Sequence, residues 1–175
     1  NGVIVEWDGT TGKAKGRVSN ANEDDADLSG KVHGGATVTS LAFTNGTLYS
    51  SGWDDFVRTT QGQICNDKLK MEAQPNAMTV GDSLVVVSTV EGLVLIKDKE
   101  IISSEVIKLP YTVTAIHLSK DDSTLYVGGD DCNIYVYSVS SSNTLDESHL
   151  IKGGHLKPVQ SIALSPDGTQ LAAAD

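Results

Sequence analysis

Cysteine is nearly absent from the chain: Cys65 and Cys132 are the only two among 175 residues. That excludes a small disulfide-stapled scaffold, and two free thiols in a reducing compartment is a simpler reading than one isolated bridge. Basic residues are also few, 13 Lys and Arg against 23 Asp and Glu, for a formal charge of −10. Nucleic acid and anionic membrane surfaces need a basic face, so neither is expected as the main partner. No apolar run approaches the roughly 20 residues of a membrane-spanning helix. The opening stretch NGVIVEWDG has no initiator Met, basic segment or signal-like apolar core, so the chain is expected to be a piece of a longer protein.

Catalytic signatures are missing as well. No G-x-S-x-G, no Cys–His pair at a recognisable spacing and no pair of acids suited to acid–base work can be found. The four histidines, His33, His117, His149 and His155, show no metal-ligand spacing. No enzyme activity, metal or other cofactor is expected from these residues.

What the chain does have is recurrence. The stretch LYSSGWDDFVRTT (48–60) is a strand-like run that halts at Gly52-Trp53-Asp54-Asp55 and resumes at Phe56. Its second half, DDFVRTT, has comparable resumptions in NGVIVEW, EGLVLIK and DCNIYVY; the β-branched residues Ile4, Val57, Val94 and Ile134 of these four runs are 53, 37 and 40 residues apart. A second series, VTSLAF, PNAMTV, VTAIHL and VQSIAL, starts at residues 38, 75, 113 and 159. A third, LYSSG, LVVVS, LYVGG and LAAAD, follows each member of the second by a few residues.

Three series in constant order, with a period near 40, predict a β-propeller built from four-stranded blades. Inner strands of a blade are covered on both faces and lose clean alternation, as VTSLAF and LVVVS do. No segment carries the apolar stripe of an amphipathic helix. Asn45-Gly46, SKDDS (119–123) and SPDG (165–168) sit between strand runs, where tight turns need residues tolerant of positive φ. The expected organisation is all-β antiparallel: the end of a blade (1–18), an acidic loop (19–32), a blade (33–72), a divergent blade (73–109), a blade (110–152) and the start of another (153–175).

These residues resemble the WD-repeat family. The resemblance rests on Trp7-Asp8 closing a repeat, Gly154-His155 ahead of Val159, and the turn acids Asp54 and Asp131. It implies a hydrogen-bonded tetrad within each blade, formed by a loop His, a strand Ser or Thr, the turn Asp and a closing Trp. Candidate members are His33, Ser50 or preferably Ser51, Asp54, Trp7, Asp131 and His155. Thr60 stands where the second blade would place Trp, and the third and fourth blades lack the loop His. A buried imidazole and carboxylate must be paired, so such a chain of polar groups selects one blade geometry.

Within that family, NGVIVEWDGTTGK, LYSSGWDDFVRTT, LYVGGDDCNIYVYSV and HLKPVQSIALSPDGTQLAAAD are similar to the actin-interacting branch. That resemblance implies two joined seven-bladed propellers, this segment belonging to the second, and a cytoplasmic protein of the actin cytoskeleton. The implied partners are actin filaments and cofilin, whose filament disassembly such proteins promote without catalysis. The better-known actin-contacting surface of that branch lies in the first propeller, so no actin-binding residue is transferred here. Another WD-repeat adaptor, for a ubiquitin ligase or for trafficking, remains the alternative.

Three further features bear on function. GTTGK (9–13) falls short of a phosphate loop, because Trp7 replaces its first Gly and Ala14 its Ser or Thr. Asp25-Ala26-Asp27-Leu28-Ser29-Gly30 resembles the start of a calcium loop, but Ala36 occupies the place of the bidentate Glu, which favours a solvated acidic loop. Trp53, flanked by acids and followed by Arg58, has the composition of an interface anchor, so Trp53, Asp55 and Arg58 are candidate partner-binding residues.

Overall fold

In the computed structural model, residues 2–21, 31–103 and 106–175 are described; the calcium-like stretch Asp25–Gly30 lies outside them. Among the described residues there are seventeen strands and no helix. The chain divides into two compact units, Asn1–Pro75 and Asn76–Asp175.

The first unit contains a two-stranded sheet of β1 (Val5–Trp7) and β2 (Ala14–Arg17). Asp8 closes its turn by accepting the Thr10 and Thr11 amides at 3.0 and 2.7 Å, so the GTTGK stretch is a strand connection. The second sheet has the order β3-β7-β6-β5-β4. It is the meander β4 (Val38–Thr44), β5 (Thr47–Gly52), β6 (Phe56–Gln61) and β7 (Ile64–Lys70), with β3 (Ser19–Asn20) added at one edge. Ser19 and Asn20, expected to open the acidic loop, instead pair parallel with Ile64 and Cys65. An edge strand exposes unpaired amides and carbonyls, and a short passing segment satisfies them. Ile4, Val18, Val32 and Cys65 form a buried cluster in this unit.

The second unit begins one residue after β8 (Pro75–Val80) starts. β8, β9 (Leu84–Thr89), β10 (Gly92–Lys97) and β11 (Glu100–Ile101) form one four-stranded antiparallel sheet. β12 (Val113–Leu118), β13 (Thr124–Gly129), β14 (Ile134–Val139) and β15 (Leu145–Ile151) form the next. β16 (Ser161–Leu164) and β17 (Leu171–Ala174) pair as a third.

Packing in this unit follows from residues covered on both faces. Leu84 and Val86 of β9 and Leu93 and Leu95 of β10 meet Ile116, Leu118, Leu125 and Val127 of the next sheet in one buried cluster. On that sheet's other side, Ala115 and Ile134 pack against Val159 and Ile162. Gly128 permits this second approach, since a Cβ there would lie 2.8 Å from Val159 Cβ. The divergent blade is the most apolar: every residue from Leu84 to Thr89 and from Gly92 to Ile96 is buried.

Polar atoms also bracket the first two sheets of this unit. Asp122, in the β12–β13 turn, accepts the Ser83 amide and hydroxyl at 2.8 and 2.7 Å and the Leu84 amide at 3.2 Å. The Asp82 amide donates to the Lys120 carbonyl at 2.7 Å, and Thr79 Oγ1 accepts the Leu118 amide at 3.0 Å. Hydrogen bonds to a carboxylate contribute more than neutral ones, so Asp122→Ala is expected to cost about 1.5–3 kcal/mol. Urea unfolding of the full-length protein checks this; an unchanged midpoint would show that the bracket contributes nothing.

Candidate functional site

The halt-and-resume stretch forms the three-residue turn between β5 and β6, and it is the best-organised polar site in the first unit. Asp55 takes the left-handed backbone (φ 61°), as acidic residues in tight turns do. The Trp53 amide donates to the Thr37 carbonyl at 2.9 Å and the Met71 amide to the Asp55 carbonyl at 2.8 Å, which ties the turn to the chain on both sides.

Beneath the turn lies the buried His33. Its Nδ1 is 2.8 Å from Asp54 Oδ1, which can only accept from it, and its Nε2 is 2.9 Å from Ser50 Oγ. Ser50, rather than the expected Ser51, therefore occupies the strand position of the network. Ser51 instead shares a hydrogen bond with Thr39 Oγ1 at 2.9 Å. A β-bulge between Val38 and Ser40 and the alternation of β5 send neighbouring hydroxyls to opposite faces. Gly52 makes room for the imidazole: a Cβ there would stand 2.5 Å from His33 Nδ1.

Arg58 corrects the expectation that it faces a partner. It is 6% exposed, its Nη1 donates to Asp54 Oδ2, and the same nitrogen lies 2.9 Å from His33 Nδ1. Burial of Asp54 tends to raise its pKa, but the hydrogen bond and charge of His33, then the charge of Arg58, outweigh it and hold the carboxyl below its usual range. Trp53 and Asp55 point outward, with Trp53 58% exposed.

The equivalent turn in the second unit, between β13 and β14, has the same shape and different chemistry. Asp131 accepts Tyr135 Oη at 2.6 Å and Asn133 Nδ2 at 2.8 Å. The Tyr135 ring stacks on Tyr111, centroids 3.9 Å apart, and the Tyr111 and Tyr137 hydroxyls meet at 2.7 Å. Tyr111 lies beside Gly129 as His33 lies beside Gly52: a Cβ on Gly129 would be 3.1 Å from the Tyr111 ring. The hydrogen bond to Asp131, with burial second, pushes the Tyr135 phenol up to about 12. Burial first, and the hydrogen bond to Tyr137 second, raise Tyr111.

Pattern within a single blade identifies neither the three tyrosines nor the role of Arg58; comparison of two blades does. Laying LYSSGWDDFVRTT on LYVGGDDCNIYVY puts Arg58 opposite Tyr135 and Thr60 opposite Tyr137. The residue four places beyond the turn acid thus reaches its carboxylate in both blades.

The remaining tetrad candidates are not gathered into such networks. Trp7 is 61% exposed. His155 Nδ1 stands 3.8 Å from Asp175 Oδ2, beyond hydrogen-bond reach, while that oxygen accepts the Leu156 and Lys157 amides at 2.9 and 3.2 Å. Among the described residues, no group of three or more His, Cys, Asp or Glu side chains is placed to hold a metal ion.

Four-stranded antiparallel meanders recur along the chain, and two of them carry an Asp in the turn between their second and third strands. That is the form of a WD-repeat propeller blade, and the chain carries WD40 repeats. The family model "WD domain, G-beta repeat" matches residues 105–138 and 147–175. Over its whole length the chain is similar to the 66 kDa stress protein of Physarum polycephalum (31% identity) and WD repeat-containing protein 1 of Xenopus tropicalis (31%). It is also similar to actin-interacting protein 1 of Drosophila melanogaster, at 27% identity. In each case the chain spans 27% of the relative's length. A chain in the crystal structure of the mitotic checkpoint complex shares the fold, with TM-score 0.74 and 14% identity over 99% of this chain and 52% of that one.

Proposed function

We propose that this chain is an interaction module of a cytoplasmic actin-interacting WD-repeat protein, which acts with cofilin to disassemble actin filaments. The observation that carries the reading is the similarity to an actin-interacting protein along 100% of the chain, including the divergent blade. The chemistry agrees with a docking role. Inward-facing polar groups are used in holding turns, as in His33–Asp54–Arg58, while an exposed Trp53 beside Asp55 is left for a partner. Any effect on filament turnover then comes from binding some filament states more tightly than others, with no bond chemistry.

The test is cosedimentation and severing of cofilin-decorated filaments by the full-length protein. Faster disassembly that depends on cofilin is the expected result, and unchanged filaments would overturn the reading. Trp53→Ala together with Asp55→Ala is expected to weaken binding by about tenfold, the usual scale for losing an aromatic anchor.

A further inference from the structure

The second unit contains a cavity of about 490 Å³ that the turn networks do not account for. It lies between the β9–β10 turn and the β13–β14 turn. Its wall includes the stacked Tyr111 and Tyr135, the acids Glu91, Asp130 and Asp131, and the exposed Val90. The size falls within the range of pockets that take a small ligand or a few side chains.

Its charge is one-sided. None of the described residues lining it is basic, so three carboxylates share a recess whose wall holds no lysine or arginine. Asp130 Oδ1 accepts the Thr112 amide at 3.0 Å, and Asp131 accepts Asn133 and Tyr135. Those donors orient the carboxylates without neutralising them. A recess walled by protein concentrates the field of such charges and attracts a cation.

We propose that this cavity receives an arginine side chain from a protein partner. A planar guanidinium can lie along an aromatic ring while donating paired hydrogen bonds to carboxylates, which a lysine ammonium does less well. Val90, 56% exposed beside the recess, offers an apolar contact for the partner chain flanking that arginine, which a free cation could not use. The site is built from residues of the second unit, none of them from the Trp53 turn, and does not depend on the actin reading.

The test uses Val-methyl-labelled full-length protein titrated with a capped glycine-rich peptide carrying one central arginine. A matched peptide with citrulline, which keeps the shape and removes the charge, is run beside it. Saturable shifts of the Val90 methyl signals with the arginine peptide alone are the expected result. Glu91→Gln with Asp130→Asn should weaken binding by roughly fivefold, the scale of one or two exposed charge pairs. Asn at 130 keeps an oxygen for the Thr112 amide, and an unchanged melting temperature confirms that the fold is intact. No saturable shift up to about 10 mM peptide, equal shifts with citrulline, or an affinity untouched by the double substitution would each overturn the proposal.

Discussion

Asp54→Ala is expected to destabilise the protein by about 3–5 kcal/mol, because it leaves a buried guanidinium and a buried imidazole without the carboxylate between them. The Asp54 side chain is 18% exposed and those of Arg58 and His33 are 8% and 0% exposed, so little water can take its place. Arg58→Leu should cost clearly less. Asp54 would still receive the His33 proton, and a leucine can fill the space of the arginine stem. Asp131→Ala should cost only about 1 kcal/mol, since its carboxylate is exposed and its donors can turn to water. Chemical denaturation of the three variants tests this order. Equal losses at Asp54 and Asp131 would show that the His33 network has no special weight.

The same network sets a pH dependence. Asp54 has a folded pKa below its unfolded value, so its contribution is complete above that unfolded value, near 3.9. It is lost as pH falls through the folded pKa. Wild-type stability should therefore decline in acid below about pH 4, and an Asp54→Asn variant should show a shallower decline over that range. Identical acid profiles would contradict the assignment.

Leu95→Ala is the second large effect, about 2–5 kcal/mol. Leu95 is 1% exposed and belongs to the cluster joining β9 and β10 to the following sheet. In its blade Val90 stands at the place of the turn Asp, and there is no loop histidine. Its β9–β10 turn is closed by Thr89, which accepts the Glu91 amide and donates to the Gly92 carbonyl at 3.2 and 3.1 Å. A blade without a buried His–Asp network depends more on side-chain volume, and removing three carbons from a buried leucine leaves a cavity. A loss below about 1 kcal/mol would mean that this sheet is held by its ladder more than by its packing.

Local pattern carried much of this structure. The strand series, the turns at Asn45-Gly46 and Asp54-Asp55, and the apolar character of the divergent blade depend on neighbours in sequence. Alternation, β-branching and tolerance of positive φ are properties of a few residues at a time. The pairing of Ser19-Asn20 with β7 could not be read this way, because a two-residue strand has no periodicity of its own. Nor could the choice of Ser50 over Ser51, since one bulge in β4 and the face of β5 decide which hydroxyl meets His33.

Arg58 shows the division most clearly. By composition, an arginine five residues past an aromatic in a turn belongs on the surface, and only the fold reveals the Asp54 carboxylate it meets. The tyrosine cluster around Asp131 and the acidic cavity beside it are likewise products of assembly, built from residues as far apart as Glu91 and Tyr135. Order along the chain thus determined the repeating strand unit, because backbone preference is local. The tertiary structure alone decided which polar groups meet, because burial and electrostatic pairing depend on distances in space between residues remote in sequence.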